Sequence, residues 1–277
     1  MRSVAVVLVF LLAGCAAPAA PTVSAGPEDA LAAELEALDG VSEASVSTVE
    51  YSDGREDAVL VNMATSEIEG FSDIADAASA LVEAAPFGDK TRDLKIAVDD
   101  SLLLVSAGGG TKLDAAPRAD LFVRWLTDAR VEAVSWTSQL VVELVGDGTT
   151  DGSLVETIYN ELADPTTLDD GGLRIDDPGS YSVGAAQHPY TEKRFGVARE
   201  IAALDGVSEC SFALKASEDG SFIHQIFCSV DGDAEATGTQ INALLDARGL
   251  RESTDVRLQT ADDSILTNDG SYVVDES

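Results

Sequence analysis

A heptapeptide that occurs twice constrains the fold of this chain more than any other feature. The seven residues ALDGVSE occupy positions 37–43 and return at 203–209 of a chain of 277 residues. Apolar residues precede both copies at helical spacing, and apolar–polar alternation follows both, as it does in a strand. Gly40 and Gly206 fall where a helix C-cap favours positive φ. The repeat therefore predicts the same helix-to-strand junction at two places.

The similarity continues beyond the heptapeptide and predicts the architecture. The first copy continues with a strand at 58–64, a helix at 71–84 and a hairpin at 94–103, and the last copy with 222–230, 234–248 and 256–266. A weaker third copy lies between them, with helices at 121–129 and 153–163 and strands at 131–137 and 140–145. We predict an α+β fold of three tandem αββαββ units, each an antiparallel sheet with helices on one face. The predicted domains are 28–107, 117–186 and 191–277.

This order of elements resembles that of ferredoxin-like units and of the small BON domains of bacterial envelope proteins. The resemblance concerns the fold only and assigns no site residue.

The N-terminus has the pattern of an export signal. Residues 1–3 are short and basic through Arg2, and residues 4–12 form an unbroken run of nine apolar residues. A membrane-spanning helix needs about 20 such residues, so the run is typical of a signal peptide.

The four residues Leu12-Ala13-Gly14-Cys15 resemble the lipobox of bacterial lipoproteins. The resemblance implies that the signal peptide 1–14 is removed and that the Cys15 thiol carries a diacylglyceryl group. Two acyl chains hold a protein stably on a membrane, so the implied location is the outer face of the cytoplasmic membrane. Residues 15–27 are uncharged and rich in Ala and Pro, and we interpret them as a tether. The alternative is an ordinary signal peptide in which Cys15 has no role.

Two of the three cysteines remain once Cys15 is assigned to the lipid. An exported chain meets an oxidising environment, and a hairpin with its turn around 218–220 would set Cys210 opposite Cys228. We predict a disulfide between them; the alternative is a pair of buried thiols.

The chain is strongly acidic, with 50 Asp and Glu against 17 Lys and Arg and a net charge of −33. A field of this sign repels nucleic acid and favours cationic envelope proteins or cations as partners. A solvated acidic surface that keeps the protein soluble is the simpler interpretation.

Catalytic patterns are missing from the sequence. No nucleophile elbow, zinc-protease motif or phosphate loop occurs. Of the two histidines, His188 lies in a breaker-rich junction, and His224 lies on a strand face with Phe222 and Cys228. We interpret both as structural. We predict no bound metal, because the segment 147–152 and the Asp pairs 99–100, 176–177 and 262–263 do not complete a ligand set.

Four residues are candidate surface contacts. Lys95, Arg174 and Arg257 occupy equivalent strand positions in the three copies, and period-2 alternation points them away from the helices. Pairing with a carboxylate on the adjoining strand is the alternative to anion contacts. Trp136 is either a core residue or an exposed stacking platform.

We therefore predict a non-catalytic binding or scaffolding protein of the cell envelope, without a cofactor. A solute-binding lipoprotein serving a transporter and an envelope hydrolase are the alternatives. A large pocket with converging polar groups would favour solute binding.

Overall fold

The computed structural model describes residues 26–51, 56–108, 111–146, 153–163, 171–178, 181–185, 189–216, 222–260, 265–267 and 272–273. The helices are α1 Pro27–Glu36, α2 Phe71–Ala84, α3 Ala116–Leu126, α4 Ser153–Leu162, α5 Glu192–Ala202 and α6 Ala234–Ala247. A short 3₁₀ helix, Arg251–Ser253, follows α6.

Two strands follow each helix from α1 to α5, and three follow α6. They are β1 Val41–Val49, β2 Ala58–Thr65, β3 Thr91–Val98, β4 Ser101–Ala107, β5 Val131–Trp136, β6 Leu140–Leu144, β7 Leu173–Asp176, β8 Tyr181–Ala185, β9 Val207–Ala216, β10 Phe222–Val230, β11 Thr254–Thr260, β12 Ile265–Thr267 and β13 Tyr272–Val273.

The 13 strands in the described part of the chain belong to one mixed sheet, and their spatial order is their order in the sequence. Each helix from α2 to α6 crosses between two neighbouring parallel strands, and antiparallel hairpins alternate with these crossovers. The α+β class is confirmed, but the prediction of three antiparallel sheets is wrong. Parallel pairing of β4 with β5 and of β8 with β9 joins the three predicted units. A separate unit would leave these strand edges unpaired, and pairing them satisfies their backbone groups.

One face of the sheet forms the core beneath the helices. A single row of inward side chains crosses eight neighbouring strands, and each member is at most 8% exposed. Its members, matched by strand register, are Ala44, Met63, Ile96, Leu103, Trp136, Leu140, Leu173 and Ala185. The helices cover this face, because their buried residues, such as Leu35 and Ile241, belong to the same apolar cluster. None of the helices in the described ranges covers the opposite face of the sheet, and we call it the open face.

The repeated heptapeptide forms the same turn at both of its positions. Gly40 has φ 85° and Gly206 has φ 82°, so the prediction of positive φ is confirmed. Each glycine lies three residues beyond the C-cap residue, Ala37 or Ala203. The glycines therefore turn the chain into β1 and β9 rather than ending the helices.

Candidate functional site on the open face

The open face is built from alternate residues of each strand, because successive side chains point to opposite sides of a sheet. Two adjacent rows cross its central part. The first row consists of Leu102, Ser135, Val141, Arg174, Gly184, Ala213, Gln225 and Asp255. The second row consists of Ala133, Glu143, Asp176, Ser182, Ser211, Phe227 and Arg257.

The three basic residues predicted to face away from the helices are exposed. Arg174 contacts Asp176 at 2.7 Å, and Arg257 contacts Asp255 at 3.4 Å. Each partner lies two residues away on the same strand, whereas the alternative interpretation placed the carboxylate on the adjoining strand. Lys95 lies beside Asn62 and Leu104, in the row next to the first row and on the side away from the second row. The structure therefore brings Arg174 and Arg257 onto the two central rows but leaves Lys95 outside them.

Apolar side chains also reach solvent on this face. Phe227 is 38% exposed and Ile223 is 36% exposed, and both belong to β10. A groove of about 180 Å³ runs beside Phe227 and is lined by Ser211, Ala213, Gln225, Asp255 and Arg257 among others. The sequence analysis missed Phe227. The alternation within β10 carried the signal, because Phe222, Ile226 and Cys228 point inward and odd-numbered residues must point outward.

The two cysteines lie behind this groove, on the inner face. Cys210 pairs with Cys228 in the register of β9 and β10, their Cα atoms are 4.2 Å apart, and their sulfur atoms are joined as a disulfide. The short Cα separation is that of a non-hydrogen-bonded antiparallel pair. This geometry brings the sulfurs to bonding distance and ties together the two strands that frame the groove.

His224 lies in the core rather than at the surface. It is fully buried, the Tyr190 hydroxyl is 2.5 Å from its Nε2, and its Nδ1 has no hydrogen-bond partner among the described residues. Burial, together with the positive charge of Arg194, lowers the pKa of His224 to about 3. Desolvation also raises the pKa of Tyr190 well above its usual value. The ring is therefore neutral and enclosed, which is the environment of a structural histidine.

Trp136 is fully buried, as is Trp125. The stacking-platform interpretation of Trp136 is therefore wrong, because its strand position points under the helices. The Arg118 guanidinium carbon lies 5.3 Å from the centre of the Trp136 ring, a distance at which a cation and an aromatic ring attract.

A second depression lies on the helical side, between α5 and α6. It has a volume of about 720 Å³ and is lined mainly by charged residues, Glu192, Lys193, Arg199, Glu200 and Arg248 among them. Arg248 is already paired with Glu200, and Arg199 with Glu156. Most of its charge is thus neutralised within the protein.

Several predicted features lie outside the described residues. They are Cys15 with its lipobox, His188, the segment 147–152 and the Asp pair 262–263. Within the described ranges, no group of three or more His, Cys, Asp or Glu side chains is arranged to hold a metal ion. In the same ranges, no helix is both long and apolar enough to cross a membrane.

Comparisons with known proteins add no family assignment. No protein-family model matches the chain, and no curated protein matches its sequence significantly.

Proposed function

We propose that this protein is a non-catalytic binding protein of the cell envelope, held at the outer face of the cytoplasmic membrane by a lipid on Cys15, and that it binds through the open face. The observation that carries the proposal is the exposed Phe227 beside a groove, on a sheet face that none of the described helices covers. Solvent-exposed apolar groups with a polar rim are typical of interaction sites.

The charges of the open face support this choice. The chain has nearly three acidic residues for each basic one, yet Arg174 and Arg257 each balance an aspartate on the central rows. A patch with balanced charges repels an approaching acidic partner less than the rest of the molecule does. Cationic envelope proteins and cations remain the partners that the acidic remainder favours, whereas nucleic acid is disfavoured.

The recurrence of αββαββ supports a sheet assembled from three copies of one unit. In all three places a backbone N–H closes the turn before the strand by bonding a carbonyl three residues earlier. The pairs are Val41 with Leu38, Val131 with Asp128, and Val207 with Leu204. Repetition in this form widens the sheet, and a wide sheet offers a large contact surface.

Solute capture is the second candidate function, and the depression between α5 and α6 favours it by volume. Its lining residues Glu192, Lys193 and Arg248 are exposed, so a small molecule there would stay largely in water. Binding through the open face is better supported, because its contacts combine apolar and balanced polar groups.

Photo-crosslinking in intact cells tests the proposal. A photoreactive phenylalanine analogue is placed at Phe227 on the open face and, in a matched control, at the exposed Asp246 of α6. We expect a reproducible crosslinked product from position 227 only. We also expect Cys15→Ser to release the chain from the membrane fraction. Equal products from both positions, or none from 227, would contradict binding through the open face.

A further inference from the structure

We infer that the open face docks onto the open face of a second copy of this chain, around a two-fold axis that runs along β9. The inference rests on the proposed function, because it names the partner of the same surface.

Four charged residues, two on β7 and two on β11, alternate in sign within the two rows, and we call their positions the corners. On β7, Arg174 lies in the first row and Asp176 in the second. On β11 the order is reversed, with Asp255 in the first row and Arg257 in the second. β7 and β11 lie two strands to either side of β9.

A two-fold axis along β9 converts this pattern into four complementary contacts. Rotation about this axis leaves every residue in its row and exchanges the strands on the two sides of β9. β7 therefore lies opposite the partner's β11. Arg174 then faces the partner's Asp255, and Asp176 faces the partner's Arg257. The same two contacts occur twice by symmetry, as in any isologous interface. Long Arg side chains can span the separation of about 10 Å between packed sheets.

The sizes of the side chains also match under this axis. β10 and β8 flank β9 and are exchanged by the rotation. β10 carries the large residues Phe227 and Gln225, whereas β8 carries Ser182 and Gly184 in the same rows. Phe227 therefore lies over the partner's Ser182, and Gln225 over the partner's Gly184.

The strand at the centre is small as well. β9 presents Ser211 and Ala213 to the axis, so the two copies can approach closely there. An axis across the strands would instead set Phe227 against the partner's Gln225, two large side chains together. Shape therefore favours the axis along β9 over the alternative.

The available area is close to what a stable interface needs. Strands β5 to β13 lie symmetrically about β9 and span about 38 Å at roughly 4.8 Å per strand. With about 20 Å along the strands, the face of each copy measures roughly 770 Å², against about 800 Å² per partner in standard interfaces.

Complementary charge variants test this pairing in the purified full chain by sedimentation velocity. One variant, Arg174→Asp with Arg257→Asp, makes all four corners negative. The other, Asp176→Arg with Asp255→Arg, makes them all positive. We expect the unchanged chain to dimerise, each variant alone to associate at least about tenfold more weakly because like charges meet, and an equimolar mixture to form a 1:1 heterodimer.

The positive variant separates this mechanism from general repulsion. Its two substitutions move the net charge four units toward neutrality from −33, so weaker general repulsion would make it associate more strongly than the unchanged chain. Circular dichroism verifies that both variants fold. Ser182→Trp, which fills the space under the partner's Phe227 without changing charge, should also weaken the dimer.

A monomeric unchanged chain at every soluble concentration, or a mixture that does not associate, overturns the inference. In that case a crosslink from position 227 to a different protein would leave the proposed function standing. A crosslinked product of twice the chain mass supports the inference.

Discussion

His224 shows how burial fixes the state of one side chain. The Tyr190 hydroxyl lies 2.5 Å from Nε2, and Nδ1 has no partner among the described residues. A neutral imidazole that accepts a hydrogen bond at Nε2 carries its proton on Nδ1. If Nε2 instead donates to the Tyr190 oxygen, Nδ1 is a bare acceptor; in either tautomer a buried polar atom lacks a partner among the described residues, which costs about 1–3 kcal/mol. The ring accordingly contributes packing and one hydrogen bond at neutral pH, and it opposes folding when it must be charged.

The first prediction concerns the pH dependence of stability. The pKa of His224 is about 3 in the folded protein and about 6.5 in an unfolded chain. Between these values the unfolded state binds more protons, so the free energy of unfolding decreases as the pH falls below about 6.5. From pH 6.5 to 4.5 the loss due to His224 is about 2 kcal/mol.

Urea unfolding of the unchanged chain and of His224→Phe at both pH values measures this loss. Phenylalanine keeps an aromatic ring but cannot be protonated. We expect the variant to lose less stability on acidification by about the amount given above. If the free energy of unfolding falls equally in the two proteins on acidification, groups other than His224 govern the acid dependence of stability.

At the scale of the elements, a turn glycine decides how α5 leads into β9. Gly206 has φ 82°, and a Cβ at this position would lie 2.9 Å from the backbone carbonyl oxygen of Asp231. That carbonyl cannot easily move, because the Asp231 backbone N–H bonds the Gly206 carbonyl at 2.7 Å. The middle copy has Arg130 at the equivalent position instead, and its guanidinium bonds Asp128 and Glu161. The Arg130 hydrogen bonds lower the pKa of Asp128 to about 2.

The second prediction compares two glycines. Gly249 also has positive φ, 60°, but nothing lies within 4 Å of an added Cβ. Gly249→Ala should therefore cost only the left-handed backbone strain, about 1 kcal/mol, whereas Gly206→Ala adds a backbone clash and should cost about 2–3 kcal/mol. Chemical denaturation of both variants measures the difference. Equal losses would mean that the Asp231 contact relaxes freely.

The third prediction concerns the bond between β9 and β10. Cys210 and Cys228 are 18 residues apart in sequence, and a cross-link closing such a loop stabilises by about 3 kcal/mol in the chain-entropy model. Intact mass after alkylation, with and without reductant, should show two additional labels only after reduction. Cys210→Ala with Cys228→Ala should lose about the stated stability. Both thiols reacting without reductant would contradict the disulfide.

The sequence predicted individual elements better than their arrangement. The predicted helix 71–84 and strand 222–230 coincide with α2 and β10, because hydrophobic periodicity reports the face that each residue buries. α3 begins at Ala116 rather than 121, since Pro117 is tolerated in the first helical turn. The parallel pairing of β4 with β5 and of β8 with β9 could not be predicted. The alternation of apolar and polar residues identifies the two faces of a strand but not the strand beside it. The placement of Ser182 on β8 beside Ser211 on β9, on which the proposed interface depends, is one such case.

For the whole molecule, the net charge opposes association, whereas the balanced charges of the open face favour it. A net charge of −33 repels every copy from the next, whereas the balanced pairs Arg174–Asp176 and Arg257–Asp255 give one face on which this repulsion is locally offset. Anchoring at Cys15 would confine copies to one plane and raise their local concentration. In the proposed arrangement the acidic remainder would limit uncontrolled aggregation and direct contact to the open face.

The fourth prediction is that salt stabilises the folded chain. Acidic residues outnumber basic ones by 50 to 17, and bringing so many like charges together on folding costs free energy. The Debye length shrinks from about 30 Å at 0.01 M salt to about 8 Å at 0.15 M, so this repulsion is largely screened over that range. A gain of about 1 kcal/mol would raise Tm by about 2–4 °C for a chain of this size. Calorimetry in dilute protein, where dimers do not contribute, measures the shift, and sucrose at matched osmolality is the control for nonionic effects. A Tm that falls with salt would mean instead that ion pairs such as Arg130–Glu161 outweigh the repulsion among the acidic residues.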